Sequence, residues 1–224
     1  MAQAGIHGMV AAAVRKYVPG KEWLMLGIVL GSIFPDMDNI AVAIATVAKL
    51  PTHGLHRTFT HSIFTILLVL IVFYLIAALT KKSRWSIFGI GFGVGILMHV
   101  LLDLVIWFNG VEILWPLNSW VNLWEGFQVP DWLSKFLMPA EFLCFGLFFL
   151  VLASLARRHQ TDTEYLSRLR MWMIVQFVLF AAFTVMVYTM DKGFMTVYGA
   201  VYLLSLFLAF GIVIRMRRTI EMLA

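Results

Sequence analysis

The chain has 224 residues and a formal net charge of +5; 62% of its residues are hydrophobic and only 13% are charged. A soluble domain carries about twice that charged fraction, and a chain this small could not cover so much apolar surface. These numbers exclude a soluble fold and predict an all-α, polytopic membrane helical bundle.

Two short apolar segments come first, at 4–18 and 23–34, and read as an N-terminal hairpin. A small helix is predicted at 40–48. Five long apolar segments follow at 60–79, 85–108, 133–155, 170–190 and 194–214, each near the roughly 20 residues that a crossing needs. The total is about seven membrane-embedded helices in one membrane domain over 1–224. Between the second and third long segments, Trp115, Trp120, Trp124 and Trp132 crowd one loop. Tryptophan at that density predicts an interfacial layer; the sharper alternative is the mouth of a lipid-facing cleft. The N-terminus lacks a basic region followed by a cleavage site, so no removable signal peptide is expected. Cys144 is the single cysteine, which rules out an internal disulfide.

The positive charge is explained by where it falls, and no nucleic-acid partner is expected. Arg15, Lys16 and Lys21, then Lys81, Lys82 and Arg84, then Arg157, Arg158, Arg168 and Arg170, then Arg215, Arg217 and Arg218 form four clusters. All four share one side if the spans alternate and the two short segments form a hairpin. The excess of Lys and Arg marks that side as cytoplasmic. This places the N-terminus outside and the C-terminus inside, in a bacterial or archaeal plasma membrane.

Ionisable side chains within membrane segments are costly and are functional candidates. Asp36 and Asp38 flank Met37 just after Pro35, which breaks the preceding helix. Two carboxylates at a helix break suit a hard or borderline cation; a capped turn is the plainer reading. His99 and Asp103 stand four apart in an apolar helix, on one face. They are two metal ligands, or a buried pair holding helices together. His99 lies about 20 Å from the cytoplasmic end at 1.5 Å per residue. His56 and His61 bracket Arg57 and Thr60 where a long span begins. A helix N-terminus there could attract a phosphate, with Arg57 as counter-charge. His7, between Ile6 and Gly8, is weak evidence alone.

The topology brings all these residues toward the outer side, although the charge rule that set it did not use them. His7, Asp36, Asp38, His56, His61, His99 and Asp103 are therefore the candidate metal ligands. They suffice for one or two ions. With His and carboxylate but no thiolate, Zn²⁺ is expected, with Mn²⁺ or Fe²⁺ as alternatives. His53 and His159 lie outside the motifs and read as solvated.

The blocks Pro35-Asp36-x-Asp38, His56-Arg57-x-Phe59-Thr60-His61-Ser62 and His99-x-x-x-Asp103, with Leu114-Trp115-Pro116 after them and an N-terminal His, resemble the YdjM family. Its members are described as inner-membrane-associated metal-dependent hydrolases, and also as LexA-binding. The resemblance covers about residues 1–120 and leaves 130–224 as a C-terminal three-helix part. Two positions depart from the family pattern: Thr58 stands where it has Gly, and Asn39 where it often has His. The short, basic cytoplasmic loops offer no soluble surface for LexA. A looser likeness is to zinc-dependent phospholipase C.

These readings converge on a membrane-embedded hydrolase of a lipid or lipid-linked phosphoester or ester near the outer leaflet. Asp38 is expected to act as general base or to bridge two ions, and Arg57 to neutralise a phosphate oxygen. Membrane lipids are the expected partners; the sequence assigns no oligomeric state. The alternative is a metal-binding membrane protein without catalysis, either a transporter or a structural module.

Overall fold

The computed structural model describes residues 4–117, 120–190 and 192–221. Among these residues, six helical segments are long and apolar enough to cross a membrane: Leu24–Val47, Ile63–Thr80, Arg84–Ile106, Ala140–His159, Thr163–Thr189 and Phe194–Arg215. With the short buried helix α1 (Ala4–Ala13), they make up the bundle of about seven that the sequence predicts.

Two boundaries differ from expectation. The segments near 23–34 and 40–48 form one broken span. Helix α2 (Leu24–Ile33) passes through a 3₁₀ turn, Phe34–Asp38, into α3 (Asn39–Val47). Pro35 stands in the first positions of that turn, where its missing N–H costs nothing. The segment near 133–155 is also divided. A short helix α6 (Asp131–Leu137) precedes α7 (Ala140–His159), and Pro139 occupies the position before α7. The remaining long helices are α4 (Ile63–Thr80), α5 (Arg84–Ile106), α8 (Leu166–Thr189) and α9 (Phe194–Arg215), followed by α10 (Arg217–Glu221).

The centre of the bundle is the α2–α5 contact. Gly27 and Gly31 on α2 face Gly91 and Gly95 on α5, and all four are spaced as small-xxx-small pairs. A Cβ at Gly31 would overlap the Phe92 carbonyl, and one at Gly95 the Ile28 carbonyl. Without a hydrophobic drive between helices in lipid, such backbone contact is what holds them. Helix α1 packs beside this pair against α7, where Phe142, Phe145, Phe148, Phe149 and Leu152 are buried. Helix α4 is apolar all round and almost wholly exposed, as a lipid-facing helix should be.

One end of the bundle gathers the basic clusters. Arg15 Nη1 donates to the Thr219 carbonyl at 3.3 Å, and Arg218 Nε to Asp162 Oδ1 at 2.7 Å. Arg217 pairs with Glu22, and its guanidinium lies 3.5 Å from the centre of the Trp23 ring. Arg84 covers the same ring at 5.4 Å. The opposite end carries the buried residues His7, Asp36, His61, His99 and Asp103. There a small antiparallel ribbon, β1 (Val111–Glu112) and β2 (Trp120–Val121), ties the tryptophan-rich loop to residues 57–63. Glu112 N donates to Arg57 O at 2.9 Å and Ile63 N to Ile113 O at 2.9 Å. Trp115 packs edge-on against Phe59, while Trp120, Trp124 and Trp132 stay exposed.

Gly95→Leu should be severely disruptive, because a side chain there must displace backbone. Overpacking costs about 3 kcal/mol or more, which lowers Tm by about 6 °C or more for a chain of this size. Thermal unfolding in detergent, followed by size-exclusion chromatography, reads this directly. Gly211→Leu, where nothing lies within 4 Å of the added Cβ, should leave Tm unchanged.

Candidate metal centre

Four stretches of chain deliver the candidate ligands. The 3₁₀ turn after α2 carries Asp36 and Asp38. The turn Phe59–His61 carries His61, and the loop before it His56 and Arg57. Helix α5 carries His99 and Asp103, and α1 carries His7. Neither Thr58 nor Thr60 caps α4: Ser62 does, its side chain accepting from Phe64 N at 3.2 Å. The turn ahead of that cap leaves His61 fully buried. The close α2–α5 contact has a direct local result. One turn beyond Gly95, His99 Nδ1 lies 2.7 Å from the Ser32 carbonyl.

That hydrogen bond fixes a tautomer. A carbonyl only accepts, so His99 carries its proton on Nδ1 and leaves a lone pair on Nε2. His61 is set in the same way by a relay. Thr60 Oγ1 donates to Asp38 Oδ2 at 2.9 Å, and His61 Nδ1 donates to that hydroxyl at 2.9 Å. Asp38 Oδ2 also lies 3.4 Å from His61 Nδ1. The Nε2 atoms of His61 and His99 thus face each other at 3.1 Å with a lone pair on each. As neutral rings neither can donate to the other; a proton on His61 Nε2 or a bound cation relieves the repulsion.

The remaining distances suit one. Asp103 Oδ2 lies 3.6 Å from His61 Nε2 and 3.8 Å from His99 Nε2. Asp36 Oδ1 lies 3.7 Å from His99 Nε2. Four ligands at 2.0–2.1 Å in a tetrahedron stand about 3.3–3.4 Å apart. The four separations among Asp36, His61, His99 and Asp103 given above, 3.1–3.8 Å, lie within about half an ångström of that spacing. Neither oxygen of Asp36 or Asp103 makes a well-aligned protein hydrogen bond, although all four are buried. Charge points the same way. Asp36, Asp103 and Glu141 are wholly buried and the Asp38 side chain is 8% exposed. Arg57 is the one guanidinium among them. Burying such an excess of ionised carboxylate is costly, and a bound cation or protonation must offset it.

The other candidates surround this core. Asp38 accepts from His56 Nδ1 at 2.6 Å, from Arg57 N at 3.1 Å and from Thr60 Oγ1. Its oxygens are engaged in holding side chains in place, and carboxylates behind metal-bound histidines do this generally. His56 retains an unpartnered Nε2. Burial is the main influence on His56 and outweighs the Asp38 contact, so its pKa lies below the ordinary histidine value. For His61, burial opposes protonation, but contacts to Asp103 and Asp38 prevail and raise its pKa. His7 stacks on His99 with ring centres 3.6 Å apart, and its Nε2 lies 3.1 Å from Asp103 Oδ1. Asp103 thus has one oxygen toward His7 and the other toward His61 and His99. Three ligand groupings are close enough to hold an ion: His7, His99 and Asp103; Asp36, His61 and His99; Asp38, His56 and His61. Of the two other histidines, His53 is exposed and His159 half-buried, away from the cluster.

Arg57 occupies the left-handed region, with φ of 62°. For a non-glycine residue this is a costly conformation, of the kind that concentrates at functional sites. It sends the backbone N–H to Asp38 and the carbonyl to Glu112 while the side chain turns inward. The guanidinium is 2% exposed, its Nε 3.2 Å from Asp103 Oδ2, and its two terminal nitrogens make no protein hydrogen bond.

The family pattern of YdjM inner membrane proteins matches residues 2–218. The chain belongs to that family. It is an integral inner membrane protein, and the family match runs well past residue 120, through the C-terminal helices. No curated protein and no solved structure matches it.

That extension has a counterpart in the site. Glu141, at the start of α7, is fully buried beside the cluster, its Oε1 3.4 Å from Gly5 N and its Oε2 unpartnered. Sequence reasoning passed over it, although a carboxylate in an apolar helix was signal enough. Ser32, acting through its carbonyl, had no signal at all.

Metal content of the purified protein checks the geometry. His99→Ala and Asp103→Ala should reduce a bound transition metal to background. Asp38→Asn, which keeps every candidate core ligand, should weaken affinity by about 10–100-fold.

Proposed function

We propose that this protein is a metal-dependent hydrolase acting on the phosphoester of a lipid or lipid-linked substrate near the outer leaflet. The observation that carries the reading is Arg57: a buried guanidinium with two unengaged nitrogens beside a cluster fit for a metal. Such a fork matches two oxygens of a phosphoryl group. Pairing with Asp103 engages only Nε; the two terminal nitrogens are what favour a phosphoryl ligand.

Asp36, His61, His99 and Asp103 would hold the ion, with Zn²⁺ expected first and Mn²⁺ or Fe²⁺ as alternatives; His7 and Asp103 Oδ1 offer places toward a second. A divalent cation held there supplies Lewis acidity and makes water a nucleophile near neutral pH. Arg57 binds and orients the phosphoryl oxygens. His56, gripped through Nδ1 by Asp38 and unengaged at Nε2, is placed to pass a proton to the leaving oxygen. Because every Asp38 oxygen is already committed, we assign Asp38 a positioning role in place of the bridging or general-base role its sequence context suggests. A transport path is disfavoured: from Met25 to Ile33, Ser32 is the single polar side chain on the buried face of α2.

A screen of lipid phosphoesters with metal-loaded protein in detergent tests the proposal. Hydrolysis should fall by about 10²–10³-fold in kcat/KM for Arg57→Gln, the usual effect of removing one charge-stabilising donor, with metal content unchanged. A stably loaded protein that cleaves neither phosphoesters nor esters would leave the non-catalytic metal-binding reading in its place.

Sidedness follows from the segregation of charge. We place the basic end in the cytoplasm and the site end outside. A membrane-impermeant maleimide on intact cells should label Thr52→Cys, in the exposed loop at the site end, and spare Lys82→Cys at the basic end. The native Cys144 is buried and gives little background. The reverse pattern would invert the topology.

A further inference from the structure

A groove of about 320 Å³ runs between α3 and the first turns of α9. Val42 and Thr46 form one wall, and Gly199 and Leu203 the other. Its outer rim is open: Val47 is 78% exposed and Met195 56%. Both helices belong to membrane-crossing segments, so the groove opens sideways toward lipid. Its floor includes Tyr202, which is buried and whose hydroxyl has no partner. At its inner end is Asn39, whose Nδ2 donates to the Asp36 carbonyl at 2.9 Å and lies 3.5 Å from Asp38 Oδ1. Tyr202 is within electrostatic reach of Asp36, Glu141 and Asp38. The groove therefore leads from hydrocarbon to the edge of the metal cluster and ends in two polar groups.

A groove of this size suits a slender ligand better than a partner helix, two turns of which, about 10 Å wide, occupy about 800 Å³. A single flexible hydrocarbon chain is such a ligand. A second groove, between α8 and α9 and lined by Trp172, Phe207, Gly211 and Arg215, lies toward the basic end and away from the candidate metal ligands.

We propose that the α3–α9 groove seats one long hydrocarbon chain of the substrate, delivered laterally from the bilayer, with Asn39 and Tyr202 meeting its polar head. This rests on the hydrolase reading and narrows the substrate class to long-chain lipids, excluding water-soluble phosphoesters.

Photolabelling tests it without relying on turnover. Full-length protein is placed in phosphatidylglycerol nanodiscs doped with a phosphatidylglycerol that carries a diazirine at one acyl terminus. Crosslinked peptides are then mapped. Labels should concentrate on residues 42–47 and 195–203. Gly199→Phe should reduce them about tenfold or more, the effect of displacing two or more methylenes from an apolar seat. Nothing lies within 4 Å of a Cβ at Gly199, so the helix tolerates the change. Val42→Trp blocks the groove from the facing wall and should do the same. Gly211→Phe, in the second groove, should leave the α3–α9 label intact. Competition by unlabelled polyprenyl phosphate, or by unlabelled phospholipid, identifies the chain as prenyl or acyl; either supports the proposal. Labels spread evenly over the lipid-facing helices overturn it, as do labels indifferent to both blocking variants. So does a co-purified protein crosslinked across α3 and α9. If labelling fails while metal and phosphoester turnover persist, only the groove assignment falls. If labelling succeeds on a protein that hydrolyses nothing, the seat stands and the catalytic reading falls.

Discussion

Four carboxylates held within a membrane bundle are the constraint from which the rest of this structure follows. Asp36, Asp38, Asp103 and Glu141 face one guanidinium and four imidazoles. In hydrocarbon, a charge is tolerated only when paired, hydrogen-bonded or bound to a cation. The molecule uses the first two, and the proposed ion would supply the third. Asp38 is saturated by hydrogen bonds and Asp103 is flanked by Arg57, while Asp36 has neither kind of partner and depends most on a bound ion. The close α2–α5 contact, the broken span at Pro35 and the left-handed Arg57 each bring another group within reach of these carboxylates.

The segregation of charge is the second organising feature. Basic residues gather at one end, where they pair with Glu22, Asp162 and the Thr219 carbonyl. The candidate metal ligands gather at the other. Between the two ends, α2 and α5 are almost purely apolar. The protein is thus a scaffold with its candidate ligands at one end, the arrangement that the proposed reaction on membrane lipids requires. Helices α4 and α8, exposed over most of their length, supply the contact with lipid. Helices α3 and α9 enclose the passage between lipid and site.

The helices were legible because a span declares itself by composition alone, and the bundle of about seven follows from counting apolar runs. The seven ionisable candidates were legible for a related reason: a His or Asp in such a run has few innocuous explanations. The sequence could not assign their places. Asp38 looks like Asp36 on paper, yet in space one is tied to His56, Thr60 and the Arg57 backbone while the other faces His99. That difference depends on how the 56–61 loop folds back over the turn after Pro35, which no local periodicity encodes. The joining of the segments near 23–34 and 40–48 into one broken span, and the division at Pro139, depend on proline geometry within helices of marginal length. Glu141 and the four glycines of the α2–α5 contact were visible as residues; their significance required knowing which helices touch.

The distribution of candidate ligands along the chain carries a consequence for biogenesis. All seven lie within the first 103 residues, so every one has been synthesised before α7 begins. His7 nonetheless depends on what comes later. Its helix packs so tightly on α7 that a Cβ at Gly5 would overlap the Cys144 backbone, and the Gly5 amide points at Glu141. Asp36, His61 and His99 can meet as soon as α5 is inserted. Helix α1 also touches α2 and α5, but its tightest packing is complete only once α7 has arrived. Until then the candidate ligands lack their final cover, and they are more accessible in the nascent protein than in the finished bundle.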